Sequence, residues 1–176
     1  MTTNAFSDTT VERAAAGDKA AFARLVTLHH DAMSRVAFLV SGDVEIGRDA
    51  VQAAWAVAWD RIADLRDPRV VRSWLVSIAA NEARKAVRRR QRHPVVDLSA
   101  ADGVHPDDDP GALIDLIDLQ RAFQRLKPDD RALLAMRYVA GLDSTEIANQ
   151  IGGSASGVRS RLARLLERLR VELDHA

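Results

Sequence analysis

Cysteine is absent from the 176 residues. Disulfides and thiolate metal sites are therefore excluded, and a reducing compartment suits the chain. Aromatic residues make up only 5%, with a single tyrosine. No apolar run approaches the roughly 20 residues needed to span a bilayer, so membrane insertion is not expected. The start, Met1-Thr2-Thr3-Asn4, lacks the basic-then-apolar pattern of a secretory signal, and the expected location is the cytoplasm. No Gly-rich phosphate loop occurs. His29, His30, His93, His105 and His175 do not fall at metal-ligand spacing with carboxylates. No Ser-His-Asp arrangement can be proposed either. The chain is expected to be no enzyme and to need no cofactor or metal.

An excess of one charge is also missing: 25 Lys/Arg balance 25 Asp/Glu. The balance hides a strong segregation. Residues 61–92 hold ten Lys/Arg against three Asp/Glu, and residues 154–170 hold five Arg against one Glu. Residues 93–112 hold five Asp and no Lys or Arg. Two basic footprints separated by an acidic strap point to nucleic acid in a way the total charge does not.

What is present is helical. Hydrophobic residues make up 47% of the chain, and they recur at three-to-four spacing. From Asp18 the apolar set is Ala21, Phe22, Leu25, Val26, Leu28, Met33, Val36, Ala37 and Leu39, broken at Ser41-Gly42-Asp43. A second helix is predicted from about Val44 to Ala63, with Val51, Ala54, Trp55, Ala58, Trp59 and Ile62 on one face. Asp67-Pro68 opens a third, because proline is tolerated in a first helical turn. Its apolar face is Val71, Trp74, Leu75, Ile78 and Ala79, and His93-Pro94 ends it. Residues 93–112, with three Pro and two Gly, read as a linker longer than an ordinary connection. Periodicity resumes at Leu113. Pro128-Asp129-Asp130 opens a helix whose buried candidates are Leu133, Leu134, Met136 and Tyr138, and Gly141 ends it. The fold class is all-α: two small helical domains, 10–92 and 113–174, joined by an acidic flexible linker, the second carrying a helix-turn-helix.

That motif is the run from Leu142 to Arg170. A short helix stops at Gly152-Gly153, and a long basic helix starts at Ser154. Val158, Leu162, Leu165, Leu166 and Leu169 form the predicted inward stripe. Arg159, Ser160, Arg161 and Arg164 project outward near the end that a groove-inserted helix presents to bases and phosphates. The arginine fork can take guanine O6 and N7, or a phosphate, bidentately. Taken alone, the same pattern also describes an amphipathic helix with solvated arginines. Upstream, Arg84, Lys85, Arg88, Arg89, Arg90 and Arg92 form a second basic face, either solvated or a phosphate-tracking rail. Trp55 and Trp59, four apart, read as core.

Together these segments resemble the small sigma factors of bacterial RNA polymerase, the extracytoplasmic-function (ECF) group. Gly17-Asp18, Ala21-Phe22, Asp49-Ala50-Val51-Gln52, Trp55-Ala56-Val57-Ala58-Trp59 and Arg72-Ser73-Trp74-Leu75 through Asn81 are similar to sigma region 2. Leu126-Lys127-Pro128-Asp129-Asp130-Arg131, Tyr138, Gly141-Leu142, Glu146-Ile147-Ala148 and Val158 through Arg164 are similar to region 4. Ala53, Ala80, Lys85 and Gly157 depart from the usual pattern. The resemblance implies that Asp49, Gln52 and Trp55 dock core RNA polymerase. It implies minus-10 contacts from Asn81, Arg84, Lys85, Arg88 and Arg89, with Arg66 and Arg69 in a loop that captures a flipped base. Ser156, Arg159, Ser160, Arg161 and Arg164 would read minus-35. The acidic linker is either a tether or a segment threaded toward the RNA-exit path. The implied partners are core polymerase, promoter DNA and an anti-sigma factor held between the domains, with the free chain a monomer. Two other classes are open to the chain: a stand-alone helix-turn-helix regulator, which predicts a dimer and palindromic sites, and, as a minor option, a pure interaction protein such as a sigma-like decoy.

Overall fold

A computed structural model describes residues 3–92 and 121–173, with side chains from residue 9 onward; the predicted linker 93–112 lies outside the described residues. All regular structure among the described residues is helical. Helix α1 spans Thr3–Ala15, α2 Lys19–Ser41 and α3 Val44–Arg61. Two 3-10 turns, Ile62–Asp64 and Pro68–Val70, lead into α4, Val71–Arg92. After a helical stretch at 121–125 come α5 (Pro128–Leu134), α6 (Ser144–Ile151) and α7 (Ala155–Leu173).

The boundaries follow local chemistry. Asp18 caps α2 by accepting from the Ala20 and Ala21 N–H groups at 2.9 and 3.1 Å. Gly42 ends α2 in the left-handed region at φ +70°, a conformation open to glycine without strain. Asp43 then caps α3 through the Ile46 N–H at 2.9 Å. Helices α2, α3 and α4 pack on one another, and α1 closes the end against α2 and both 3-10 turns. Val11, Ala14, Leu25, Met33, Leu75 and Ala79 lie in the core at that end. Gly47 sits where α3 crosses α2; a Cβ there would lie 3.2 Å from the Phe38 Cα.

A second core cluster runs without interruption from the first bundle into the C-terminal helices. It joins Val36, Val40, Val76, Ala80 and Ala83 to Leu126, Leu133, Met136, Leu142, Ile147 and Leu162. Helix α5 packs on α2 and α4, and α6 packs on α4 and α7. The two helical units therefore share buried apolar surface.

Four predicted core positions are corrected. Leu28, at 68% exposure, and Trp59 and Leu166 are exposed, and Tyr138 is 57% exposed. Tyr138 has a specific cause. Residues Ala135–Val139 form a π-turn, with the Ala140 N–H bonded to the Ala135 oxygen at 3.0 Å. A π-turn adds a residue to the helical turn, so a position read as inward on an α period rotates out. Leu166 and Leu28 flank buried stripes rather than belong to them. Trp59 lies edge-on to Phe22, ring centroids 4.9 Å apart, at the rim of the α2–α3 face. Helix α1 was not predicted, since its Thr-, Ser- and Asn-rich sequence has little helical preference; burial of Val11 and Ala14 holds it.

Candidate nucleic-acid interface

Helix α6 is set by a reciprocal capping box. The Asp143 carboxylate accepts from the Thr145 and Glu146 N–H groups at 2.7 and 2.9 Å, and Glu146 accepts from the Asp143 N–H at 2.8 Å. Gly152, at φ +73°, reverses the chain. Ser154 then starts α7, its hydroxyl accepting from the Gly157 N–H at 3.1 Å. Val158, Leu162, Leu165 and Leu169 are buried and seat α7 in the core. Opposite them Ser156, Arg159, Ser160 and Arg164 are exposed. The Arg159 side chain makes no ion pair among the described residues. The Arg164 Nε lies along the helix, donating to the Ser160 carbonyl at 3.3 Å.

Arg161 does not project with them. Its Nε and Nη2 donate to one Asp130 carboxylate oxygen at 3.0 and 2.6 Å, and the Asp130 side chain is 11% exposed. Arg161 lies three residues after Val158 and four before Leu165. By period it flanks the inward stripe, which brings its guanidinium within reach of Asp130, while its side chain stays 42% exposed.

Helix α4 carries the second basic face. Arg84 is largely buried; it donates to Asn81 and, through Nη1, to Asp129 of α5 at 2.9 Å. Its Nε is buried without a hydrogen-bond partner. Lys85 pairs with Glu82 at 2.7 Å, Arg88 Nε reaches the Arg84 carbonyl at 3.4 Å, and Arg89 is exposed. In the loop before α4, Arg66 is exposed. Arg69 pairs with Asp67 at 2.9 Å, and that hydrogen bond, with the Arg69 backbone N–H, holds the Asp67 carboxyl below its ordinary pKa.

The structure gathers the third set on α3. Asp49 and Gln52 are exposed, and Trp55 is half-buried with its Nε1 donating to His30 Nδ1 at 3.3 Å. Phe22 meets the Trp55 ring edge-on at 5.7 Å between centroids. Gln52, Trp55, His30, Phe38 and Gly47 line a groove of about 310 Å³ between α2 and α3.

Sequence reasoning missed the acidic partners. Asp129 and Asp130 were read as helix openers, yet each holds an arginine from a different basic helix. Ser77 of α4 donates to the Gln150 side-chain oxygen of α6 at 2.9 Å. Arg131 is buried, and desolvation lowers its pKa.

An all-helical chain with a helix-turn-helix, packed on a second helical unit with its own basic face, is the class these features define. Residues 25–93 match the model of sigma-70 region 2, and residues 116–169 match that of sigma-70, region 4. The chain is 34% identical over 155 residues to the ECF RNA polymerase sigma factor SigM of Mycobacterium tuberculosis, covering 88% of this chain and 78% of that one. It is 32% identical over 168 residues to the probable RNA polymerase sigma factor RfaY of Xanthomonas campestris, covering 91% of this chain. It spans 42% of that relative's length. The sigma factor RpoE of Bartonella quintana, solved in complex with the anti-sigma factor NepR, shares the fold. Its TM-score is 0.72, with 23% identity over 87% of this chain and 96% of that one. The chain belongs to the ECF sigma factors of the sigma-70 family.

Proposed function

We propose that this chain binds core RNA polymerase and directs it to promoters by bipartite recognition, with α7 reading the minus-35 element as duplex and α4 with its preceding loop reading minus-10. The observation that carries the reading is the presentation of Arg159, Ser160 and Arg164 on the exposed face of a helix-turn-helix whose opposite face is buried. The Asp49, Gln52 and Trp55 face of α3 is the proposed polymerase contact. Joining two weak readers on one polymerase raises the effective concentration of the second once the first is bound. The role requires positioning and charge, with no bond-making chemistry by the chain, and belongs in the cytoplasm with the polymerase. By analogy with RpoE and NepR, an anti-sigma factor is the proposed inhibitor. A stand-alone regulator leaves the α3 face without a use.

The test is co-elution of the full chain with core polymerase. Stoichiometric binding is expected, weakened by Asp49→Ala with Gln52→Ala. A wild-type chain that never co-elutes overturns the reading.

A further inference from the structure

Asp129 and Asp130 are neighbours in the first turn of α5. Asp129 holds Arg84 of α4 at 2.9 Å, and Asp130 holds Arg161 of α7 at 2.6 Å. Between them the two carboxylates thus occupy one arginine from each helix assigned to promoter reading. The Arg84 guanidinium also donates to Asn81, so a single contact engages two of the minus-10 candidates.

The geometry has a consequence for DNA. Adjacent Cα atoms lie about 3.8 Å apart, so Arg84 and Arg161 converge on essentially one point of α5. The minus-35 and minus-10 elements lie on the order of 25 base pairs apart, roughly 85 Å along B-form DNA at ~3.4 Å per base pair. No chain with both helices converged on one turn of α5 can reach both elements. The Asp130–Arg161 bond lies within the C-terminal unit and survives a separation of the units. The Asp129–Arg84 and Ser77–Gln150 bonds cross between units and do not.

We propose that Asp129 is an intramolecular stand-in for a DNA phosphate, holding Arg84 and Asn81 in a closed state of the free chain that must open before minus-10 is read. This rests on the bipartite reading above. The junction is built for release. The buried Arg84 Nε has no partner, and Arg84, Asp129, Met136, Ile151 and Arg161 border a cavity of about 170 Å³, so close packing does not seal the contact. Arg84 is 22% exposed but Asp129 is 49% exposed, so salt and phosphate can reach the pair from its carboxylate side. Opening also uncovers the buried apolar surface that Ala80 and Ala83 share with the C-terminal unit, which polymerase or another partner must then cover.

The absence of cysteine makes the test clean. Arg24→Cys on α2 and Glu167→Cys on α7, both exposed, are spin-labelled on the full chain, and the distance distribution is measured without polymerase. One short distance is expected for the parent. Asp129→Arg, which sets two cations together, is expected to add a longer population. Arg84→Asp combined with Asp129→Arg is expected to restore the short one. In parallel, the isosteric Asp129→Asn is expected to bind a mixed-sequence 40-base-pair duplex about two- to fivefold more tightly than wild type, the range set by one partly exposed pair. Asp31→Asn carries the same charge change on exposed α2 and is expected to gain less. An unchanged distance in Asp129→Arg, or equal gains from Asp31→Asn and Asp129→Asn, overturns the proposal. Co-elution with core polymerase is scored separately. A chain that binds polymerase but shows no opening sinks the closed state alone, whereas one that opens but never binds polymerase sinks the sigma reading.

Discussion

Helix α4 carries Arg84, Lys85, Arg88 and Arg89, and helix α7 carries Arg159, Arg161 and Arg164, yet the two faces meet different neighbours. On α7 Arg161 turns to Asp130, whereas Arg159 and Arg164 are exposed. On α4 Arg84 is drawn under α5, Lys85 is paired with Glu82, and Ser77 is bonded across to α6. Both helices look alike as strings of charge. Helix α5 places a carboxylate at the root of each; they differ because α4 is also covered by apolar packing from the other helical unit. A basic face becomes available through what the rest of the chain leaves uncovered, and charge count alone does not report that.

The comparison breaks most strongly if α7 is unseated. Leu162 is 5% exposed and belongs to the shared core. Leu162→Ala is expected to cost about 2–5 kcal/mol, read as a lowered urea midpoint; an unmoved midpoint would show that the leucine stripe does not hold the helix. Next in size are the arginines themselves. Arg159→Ala is expected to lose about 1–3 kcal/mol of binding with relaxed preference at one base pair if it reads a base. It should weaken all sequences alike, with a flatter salt dependence, if it meets a phosphate. Arg161→Ala should differ in kind and register as lost fold stability, because it strands Asp130. Transcription from a panel of minus-35 variants, run beside thermal melts, separates them. If Arg159→Ala and Arg164→Ala change neither activity nor preference, α7 is not the reader.

A smaller effect is expected at the entry to the motif. Asp143→Ala removes one half of the capping box and is expected to cost about 1 kcal/mol, seen as a modest drop in melting temperature. The smallest concerns His29 on α2, near Arg72 at the start of α4. Burial, aided by the nearby Arg72 charge, lowers the His29 pKa from its ordinary value of 6.5. The unfolded chain therefore binds more protons than the folded one just below that pH. The stabilising contribution of neutral His29 is complete above about pH 6.5 and is lost as pH falls through the folded value. His29→Gln should flatten the stability profile in that window, and an unaltered slope would remove His29 from the account.

Much of this arrangement was legible in the sequence. Asp18, Gly42, Asp43, Gly141, Gly152 and Ser154 announced their helix ends because capping is a local matter of a few residues. The helix-turn-helix followed from the same grammar. The exposure of Tyr138 was not legible, because a π-turn leaves no mark in composition. The partners of Arg84 and Arg161 lie 45 and 31 residues away in sequence, beyond any periodicity. The Leu126 to Arg131 run was recognised as a segment, but the division of labour between its two aspartates needed three dimensions. The polymerase, minus-10 and minus-35 roles given to individual residues are proposals; the polymerase assay addresses Asp49 and Gln52, and the arginine variants above address α7.

Gly47 acts as a spacer gauge for the molecule. With no side chain there, α3 rests against the α2 backbone at Phe38. A single methyl group would force the helices apart by a few tenths of an ångström, because the listener on the other side is main chain and cannot rotate away. The shift would travel along a rigid rod to Asp49, Gln52 and Trp55, and would open the Trp55–His30 bond from its present 3.3 Å. The smallest residue in the chain thereby sets the tolerance of the proposed docking face, whose own residues are all larger.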